Sequence, residues 1–199
     1  MISTVEAKTE QLVRESIARN MVNHVITMKR SDSLYRHYRC QTPGTWCFGF
    51  DIVTWPGSLC FTGDLGEYVF QREPDMIQFM GIVCGKDPID YHYAAEKCRA
   101  SRDGLTEFSE QKFRSRVRER LRERPRDKDA KAKARVILDE FEEYNDPHGA
   151  VRAMYESGLW DGSDLPSVQT YTFGFVLCVN AIRWFCERLS AGNVVEAAA

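Results

Sequence analysis

Val13, Ile17, Met21, Val25 and Met28 recur at steps of four and three, and that spacing predicts one amphipathic helix over residues 4–29. From 34 to 72 the pattern changes: aromatic and β-branched residues alternate with others, and the breakers QTPGT (41–45), TWPG (54–57) and GDLG (63–66) punctuate the run. This pattern predicts four short strands, at roughly 34–40, 46–53, 58–62 and 67–72. Loops this short cannot make parallel crossovers, so the strands form an antiparallel meander. From Pro74 onward helical periodicity returns, with helices expected at 75–84, 90–100, 106–124, 130–144, 148–157 and 170–189. The tail 192–199 is expected to fray. The fold class is therefore α+β: a four-stranded antiparallel meander covered on one face by the N-terminal helix and several C-terminal helices. The chain reads as one domain, 1–199, with 106–144 a basic helical arm or insertion.

Taking the loops at face value sets the registers. Cys40 pairs with Trp46, Tyr38 with Phe48 and Arg36 with Phe50; Ile52 then faces Leu59, Phe50 faces Phe61, and Phe61 faces Tyr68. The apolar set, including Trp46 and Phe48, sorts onto one face, which is the core face. The other face carries His37, Arg39, Asp51, Thr62 and Glu67, with His37 across from Gly49 and diagonal to Asp51. An imidazole beside a carboxylate is an acid/base pair, and an arginine clamps a phosphate, so His37, Arg39 and Asp51 are the catalytic candidates. A solvated polar face would carry the same residue types. If the two glycine turns lie near one edge, Trp55 and Asp64 join Thr62 and Glu67 as a ligand-binding set; ordinary turn chemistry explains those glycines and Asp64 equally.

Composition narrows the classes. The chain has 199 residues, 43% hydrophobic and 28% charged, with a net charge of −2. That excludes a disordered chain, a collagen-like repeat, a wholly acidic nucleic-acid mimic and a wholly basic coat. Seven cysteines with no CxxC pair and no apolar leader read as buried, reduced thiols. Four scattered histidines (24, 37, 92, 148) match no metal-ligand spacing, so neither metal nor cofactor is called for. The most apolar window, Thr172–Cys186, is too short for a membrane span.

The net charge conceals a strong polarity. From Lys112 to Arg135 twelve Lys/Arg stand against four acids, a net of +8, which leaves −10 on the rest. Lys112, Arg114, Arg116, Arg118, Arg120, Arg122, Arg124 and Arg126 are the candidate contacts to nucleic acid or another polyanion. A solubilising arm with internal Arg–Glu pairs is the alternative.

The stretch 35–79 contains YRHYRC, then PGTWCFGFDIVTWPGSLCFTGDLGEYVF and RxPDMxxF. This HxRC…DxxTWPG…GDxG…F pattern resembles uncharacterised proteins encoded by bacteriophages and prophages. The resemblance covers about a quarter of the chain and implies an accessory protein of the bacterial cytoplasm, acting in host takeover or counter-defence. It carries no reaction. Together these readings favour a binding protein that recognises a nucleic acid, a nucleotide or a host protein, with no membrane and with self-association left open. The alternative is a hydrolase or transferase acting on a phosphate-containing substrate, with His37 as general acid/base.

Overall fold

The computed structural model describes residues 4–161 and 163–196 and is α+β, organised around one seven-stranded mixed sheet. In chain order the elements are α1 (Thr4–Asn20), β1 (Val25–Asp32), β2 (Tyr35–Gln41), β3 (Phe50–Trp55), β4 (Ser58–Gly63), β5 (Gly66–Gln71), α2 (Met76–Cys84), α3 (Tyr91–Lys97) and β6 (Cys98–Ser101). Beyond them come β7 (Thr106–Phe108), α4 (Glu110–Glu123), α5 (Lys128–Tyr144), α6 (Pro147–Glu156), β8 (Gln169–Tyr171), α7 (Phe173–Ser190) and β9 (Val194–Glu196). The chain divides into two compact units. One holds the described residues up to Leu105 and from Tyr171 onward, the other Thr106–Thr170. The second unit thus contains the whole 106–144 segment and continues through α6.

In the first unit the sheet order is β6-β5-β4-β3-β2-β1-β9. The four expected strands are its middle. They run antiparallel, and β1, β6 and β9 extend them, β9 in parallel with β1. Val13, Ile17 and Met21 are buried as the helical spacing predicts. The helix nevertheless stops at Asn20, and Val25 and Met28 belong to β1 instead. Val25-Ile26-Thr27 is a β-branched run, and pairing with both β2 and β9 satisfies its backbone on both sides. Similarly, the expected 90–100 helix ends at Lys97 because Cys98–Ser101 pairs with β5, and Thr106–Phe108 is strand rather than the first turn of a helix. The tail is ordered as β9 over Val194–Glu196; 197–199 lie outside the described residues.

Two registers differ from the expected ones, both by an even step. Cys40 faces Phe50 and Tyr38 faces Ile52, a four-residue displacement, because 42–49 is a long loop and Trp46 and Phe48 are not strand residues. Ile52 faces Phe61, a two-residue displacement, whereas the Phe61–Tyr68 pair is as expected. Side chains alternate with period two, so an even displacement leaves every strand residue on its assigned face. The core face carries Phe50, Ile52, Leu59, Phe61, Tyr68 and Phe70, all buried. Helix α7 covers it: Phe185 meets Tyr38 at 5.1 Å and Phe175 meets Tyr68 at 6.0 Å between ring centroids.

The second unit has its own core. Phe113 of α4, Phe141 of α5 and Phe108 of β7 form a cluster of rings 5.0–5.7 Å apart, with Ile137 and Met154 buried beside them. Its helices are capped by side chains that accept otherwise unpaired backbone N–H groups: Ser109 from Lys112, Asp127 from Ala130, and Asp146 from His148. No helix of the described residues is long and apolar enough to cross a membrane.

Candidate functional site

On the sheet face opposite the core, cross-strand pairing sets Thr27, Arg39, Asp51, Thr62 and Glu67 in one row across five strands. Arg39 Nε and Nη2 donate to the two carboxylate oxygens of Asp51, each at 2.9 Å. The guanidinium also stacks on the Trp46 ring, 5.0 Å from its centroid. His37, two residues back along β2, places Nε2 3.1 Å from Asp51 Oδ2. The approach is out of line with the ring N–H direction, and this buried nitrogen has no well-aligned hydrogen-bond partner. Burial pushes the Asp51 pKa up, but the hydrogen bonds from Arg39, the close His37 ring and the charges of both outweigh it, and the carboxyl sits below its usual range.

The three catalytic candidates are therefore brought together, with a different pairing from the expected one. His37 lies across from Val53. Gly49 is instead in the 42–49 loop, where a Cβ would collide with the Trp46 ring at 2.7 Å. Asp51 lies directly opposite Arg39, so the arginine is committed to the carboxylate by two of its donors rather than open as a phosphate clamp.

Of the ligand-binding candidates, Thr62 and Glu67 share the row with Asp51. Trp55 and Asp64 do not come together. The turns that follow Trp55 and precede Gly66 are at opposite ends of the β3–β4 and β4–β5 hairpins, about 17 Å apart at the usual strand rise. Asp64 instead accepts a hydrogen bond from Phe48 N at 2.8 Å, and its own N–H donates to the Gly49 carbonyl, which pins the 42–49 loop. Trp46, expected on the core face, is the aromatic member of the site. Its sequence signal was the PGT turn beside it: a longer loop would have freed it from the strand.

The cysteines divide by environment. Cys40, Cys84, Cys178 and Cys186 are buried free thiols, but Cys60 and Cys98 are half-buried and Cys47, in the loop that Asp64 pins, is exposed. Among the described residues no group of three His, Cys, Asp or Glu could hold a metal ion.

In the second unit the basic segment folds as the α4–α5 hairpin, and its cations separate into two groups. Arg114 bridges Glu110 and Glu142, Arg116 pairs with Glu119, and Arg120 pairs with Glu123 and donates to the Leu159 carbonyl. Lys112 Nζ donates to the Gln169 carbonyl at 2.8 Å. By contrast Arg118, Arg122, Arg124 and Arg126 are exposed and make no salt bridge among the described residues. Lys128 and Lys131, on the first turn of α5, are exposed and unpaired in the same way. All six lie toward the tip of the hairpin.

The chain matches no known family model, no curated protein and no solved structure. Two arrangements are left to indicate function: a polar row built around the Arg39–Asp51 pair on an open sheet face, and a cluster of exposed cations at a hairpin tip that make no salt bridge among the described residues. They differ in electrostatic character. In the first, the Arg39 and Asp51 charges offset each other; in the second, the cations make no salt bridge among the described residues.

Proposed function

We propose that the protein is a non-enzymatic binding protein for nucleic acid, with the α4–α5 tip as its contact to the phosphate backbone. The observation that carries this is the set of six exposed cations that make no salt bridge among the described residues, Arg118, Arg122, Arg124, Arg126, Lys128 and Lys131. Exposed cations not held in a salt bridge are open to phosphates, and each phosphate they neutralise releases condensed counterions into solvent, which favours binding. The likeness of 35–79 to phage-encoded proteins supports an accessory role in a bacterial host, where takeover or counter-defence brings such a protein to nucleic acid or to a host protein that handles it.

The test is anisotropy of a labelled oligonucleotide over a salt series. With about six phosphate contacts, affinity should fall on the order of a thousandfold between about 50 and 200 mM salt. The reversal Arg118→Glu, Arg122→Glu, Arg126→Glu should weaken binding and flatten the slope. Binding that ignores salt, or that survives the triple reversal, overturns the assignment.

A second reading, a hydrolase or transferase acting on a phosphate-containing substrate, is favoured by the 3.1 Å approach of His37 Nε2 to Asp51 Oδ2. In it His37 is the acid/base group and Asp51, held by Arg39, stabilises the imidazolium. Nucleotide turnover by wild type that is lost in folded His37→Ala and reduced in Asp51→Asn supports it; equal turnover in all three refutes it.

A further inference from the structure

His24 sits between α1 and β1, with its backbone N–H donating to the Met21 carbonyl and its ring buried. The ring reaches both ends of the 42–49 loop. Nδ1 is 3.0 Å from Thr42 Oγ1, and Nε2 is 3.1 Å from the Phe48 carbonyl oxygen. A carbonyl can only accept, so Nε2 carries the proton; Nδ1 is then the acceptor and the Thr42 hydroxyl donates to it. One neutral imidazole thus closes the loop at both ends.

The loop held this way is strained, and it carries an aromatic ring onto the sheet face. Phe48 has a φ of 58°, a left-handed backbone that is unfavourable for a bulky residue and persists only where its surroundings fix it. Two neighbours do so: Asp64 Oδ2 accepts from the Phe48 N–H at 2.8 Å, and His24 donates to the Phe48 carbonyl. Next to Phe48, the Gly49 N–H donates to the Trp46 carbonyl at 2.7 Å, which ties the position of Trp46 to that of Phe48. The Trp46 ring in turn covers the Arg39 guanidinium that is bonded to Asp51.

The surroundings of the His24 ring suit its neutral form. From α7, Trp184 meets it edge-on with 6.1 Å between centroids, and Arg188, stacked on Trp184, sets a positive charge near it. From the loop come a hydroxyl and a carbonyl, and the nearby Asp64 carboxylate is engaged with the Phe48 N–H. The ring makes no ion pair among the described residues. A proton added at Nδ1 turns that atom from acceptor to donor, forces the Thr42 hydroxyl round, and buries a charge close to a like one. Burial lowers the pKa of the ring; the Phe48 carbonyl opposes this, and Arg188 adds to the lowering.

We propose that His24 is a proton-operated latch on the 42–49 loop: neutral, it holds the loop closed with Trp46 over Arg39; protonated, it releases the loop and uncovers the Arg39–Asp51 pair on the open sheet face. The ring binds its proton more weakly with the loop closed than with it open, so falling pH favours the open loop. Each pKa unit between the two states multiplies the open population at low pH by about ten. The strain at Phe48 acts in the same direction, since the left-handed backbone is free to relax once its carbonyl is let go. The latch does not involve the α4–α5 tip and stands apart from nucleic-acid binding there.

The test uses the full chain labelled with fluorotryptophan and followed by fluorine NMR from about pH 7.5 to about pH 5, the interval that spans the ordinary histidine pKa. Trp46→Phe and Trp184→Phe assign the two resonances that matter. Trp184 touches the His24 ring and reports its charge, whereas Trp46 touches Arg39 and reports the loop. In wild type both should move with one midpoint below about 6.5. Over the same interval 42–49 should lose hydrogen-exchange protection, corrected for intrinsic rates, while α7 keeps its own. His24→Gln stays uncharged, so its Trp46 signal and its loop protection should not titrate. Arg188→Gln removes the like charge, so its loop should lose protection by a smaller factor than wild type; this variant also serves if His24→Gln does not fold. A Trp184 signal that titrates while Trp46 stays fixed means that the ring charges in place without release, and it overturns the proposal. So does a Trp46 signal constant down to about pH 5, a Trp46 titration that survives His24→Gln, or a loss of protection shared equally by α7.

Discussion

Arg39 and Asp51 face each other across β2 and β3, and both hydrogen bonds between guanidinium and carboxylate are 2.9 Å long. Asp51 is largely shielded, but the Arg39 side chain keeps 39% of its exposure, so the pair is worth less than a fully buried one. Asp51→Asn should destabilise the fold by about 1–2 kcal/mol in urea denaturation, between the exposed and buried limits.

The same pair sets an acid dependence. Asp51 has its pKa lowered in the folded state, so the unfolded chain binds the proton more readily. Its contribution is present above the ordinary aspartate pKa and is lost as pH falls through the lower folded value. Asp75 behaves alike: burial raises its pKa, while hydrogen bonds from Arg36 and the Gln78 and Ile77 N–H groups lower it further than that. Stability measured from pH 5 downward should fall less steeply in Asp51→Asn than in wild type. An identical slope in the two proteins would exclude Asp51 as a source of the acid dependence.

His24 gives a second window nearer neutrality. It is buried, with Nε2 3.1 Å from the Phe48 carbonyl and Nδ1 3.0 Å from Thr42 Oγ1. Burial lowers its pKa, the Phe48 carbonyl opposes this, and the Arg188 charge adds to the lowering. A histidine depressed in the folded state stabilises above its ordinary pKa of about 6.5 and loses that contribution as pH falls through the folded value. The melting temperature should drop between pH 7 and 5, and His24→Gln should remove part of that drop.

Gly63 and Gly57 separate strain from collision. Both have positive φ, 150° and 80°. A Cβ at Gly63 would strike the Gly49 carbonyl and lie 2.7 Å from Phe50 Cα, whereas at Gly57 nothing is within 4 Å. Gly57→Ala should cost about 1–2 kcal/mol, the strain alone. Gly63→Ala should cost about 3 kcal/mol or more and loosen the 42–49 loop, read by thermal melts and by the fluorescence of Trp46.

Thiol labelling should be ordered by burial. Cys47, exposed, reacts first; Cys60 and Cys98, half-buried and with pKa values raised by burial, come next. Cys186 is pushed up to about 12 by burial, with Glu187 and Asp75 adding to it, and Cys40, Cys84 and Cys178 are buried beside apolar side chains. These four should label only at the rate of global unfolding. Fast labelling of more than three thiols in the native protein would contradict a core that closes over all four.

Much of the fold was legible along the chain because it depends on local period. Alternation over 34–72 assigned His37, Arg39, Asp51, Thr62 and Glu67 to one face, and even displacements of register could not undo that. The caps of α4, α5 and α6, and the charge contrast between 112–135 and the rest of the chain, are likewise properties of neighbouring residues. Local period could not tell whether 25–28 continue a helix or begin a strand, since Met21, Val25 and Met28 fit the helical spacing while Ile26 and Met28 fit the period of a strand.

Sequence alone thus determined which strand residues share a face and where charge accumulates, because both depend on spacing. Tertiary structure decided which of those residues meet. The length of the 42–49 loop, held by Asp64, moved β3 by four residues, set Asp51 opposite Arg39 and brought Trp46 onto the guanidinium. Pairing partners distant in the chain turned 25–32, 98–101 and 194–196 into strands. Only the folded second unit shows which arginines already have carboxylate partners and which are left for another molecule, since that depends on the separation of helix faces and not on order along the chain.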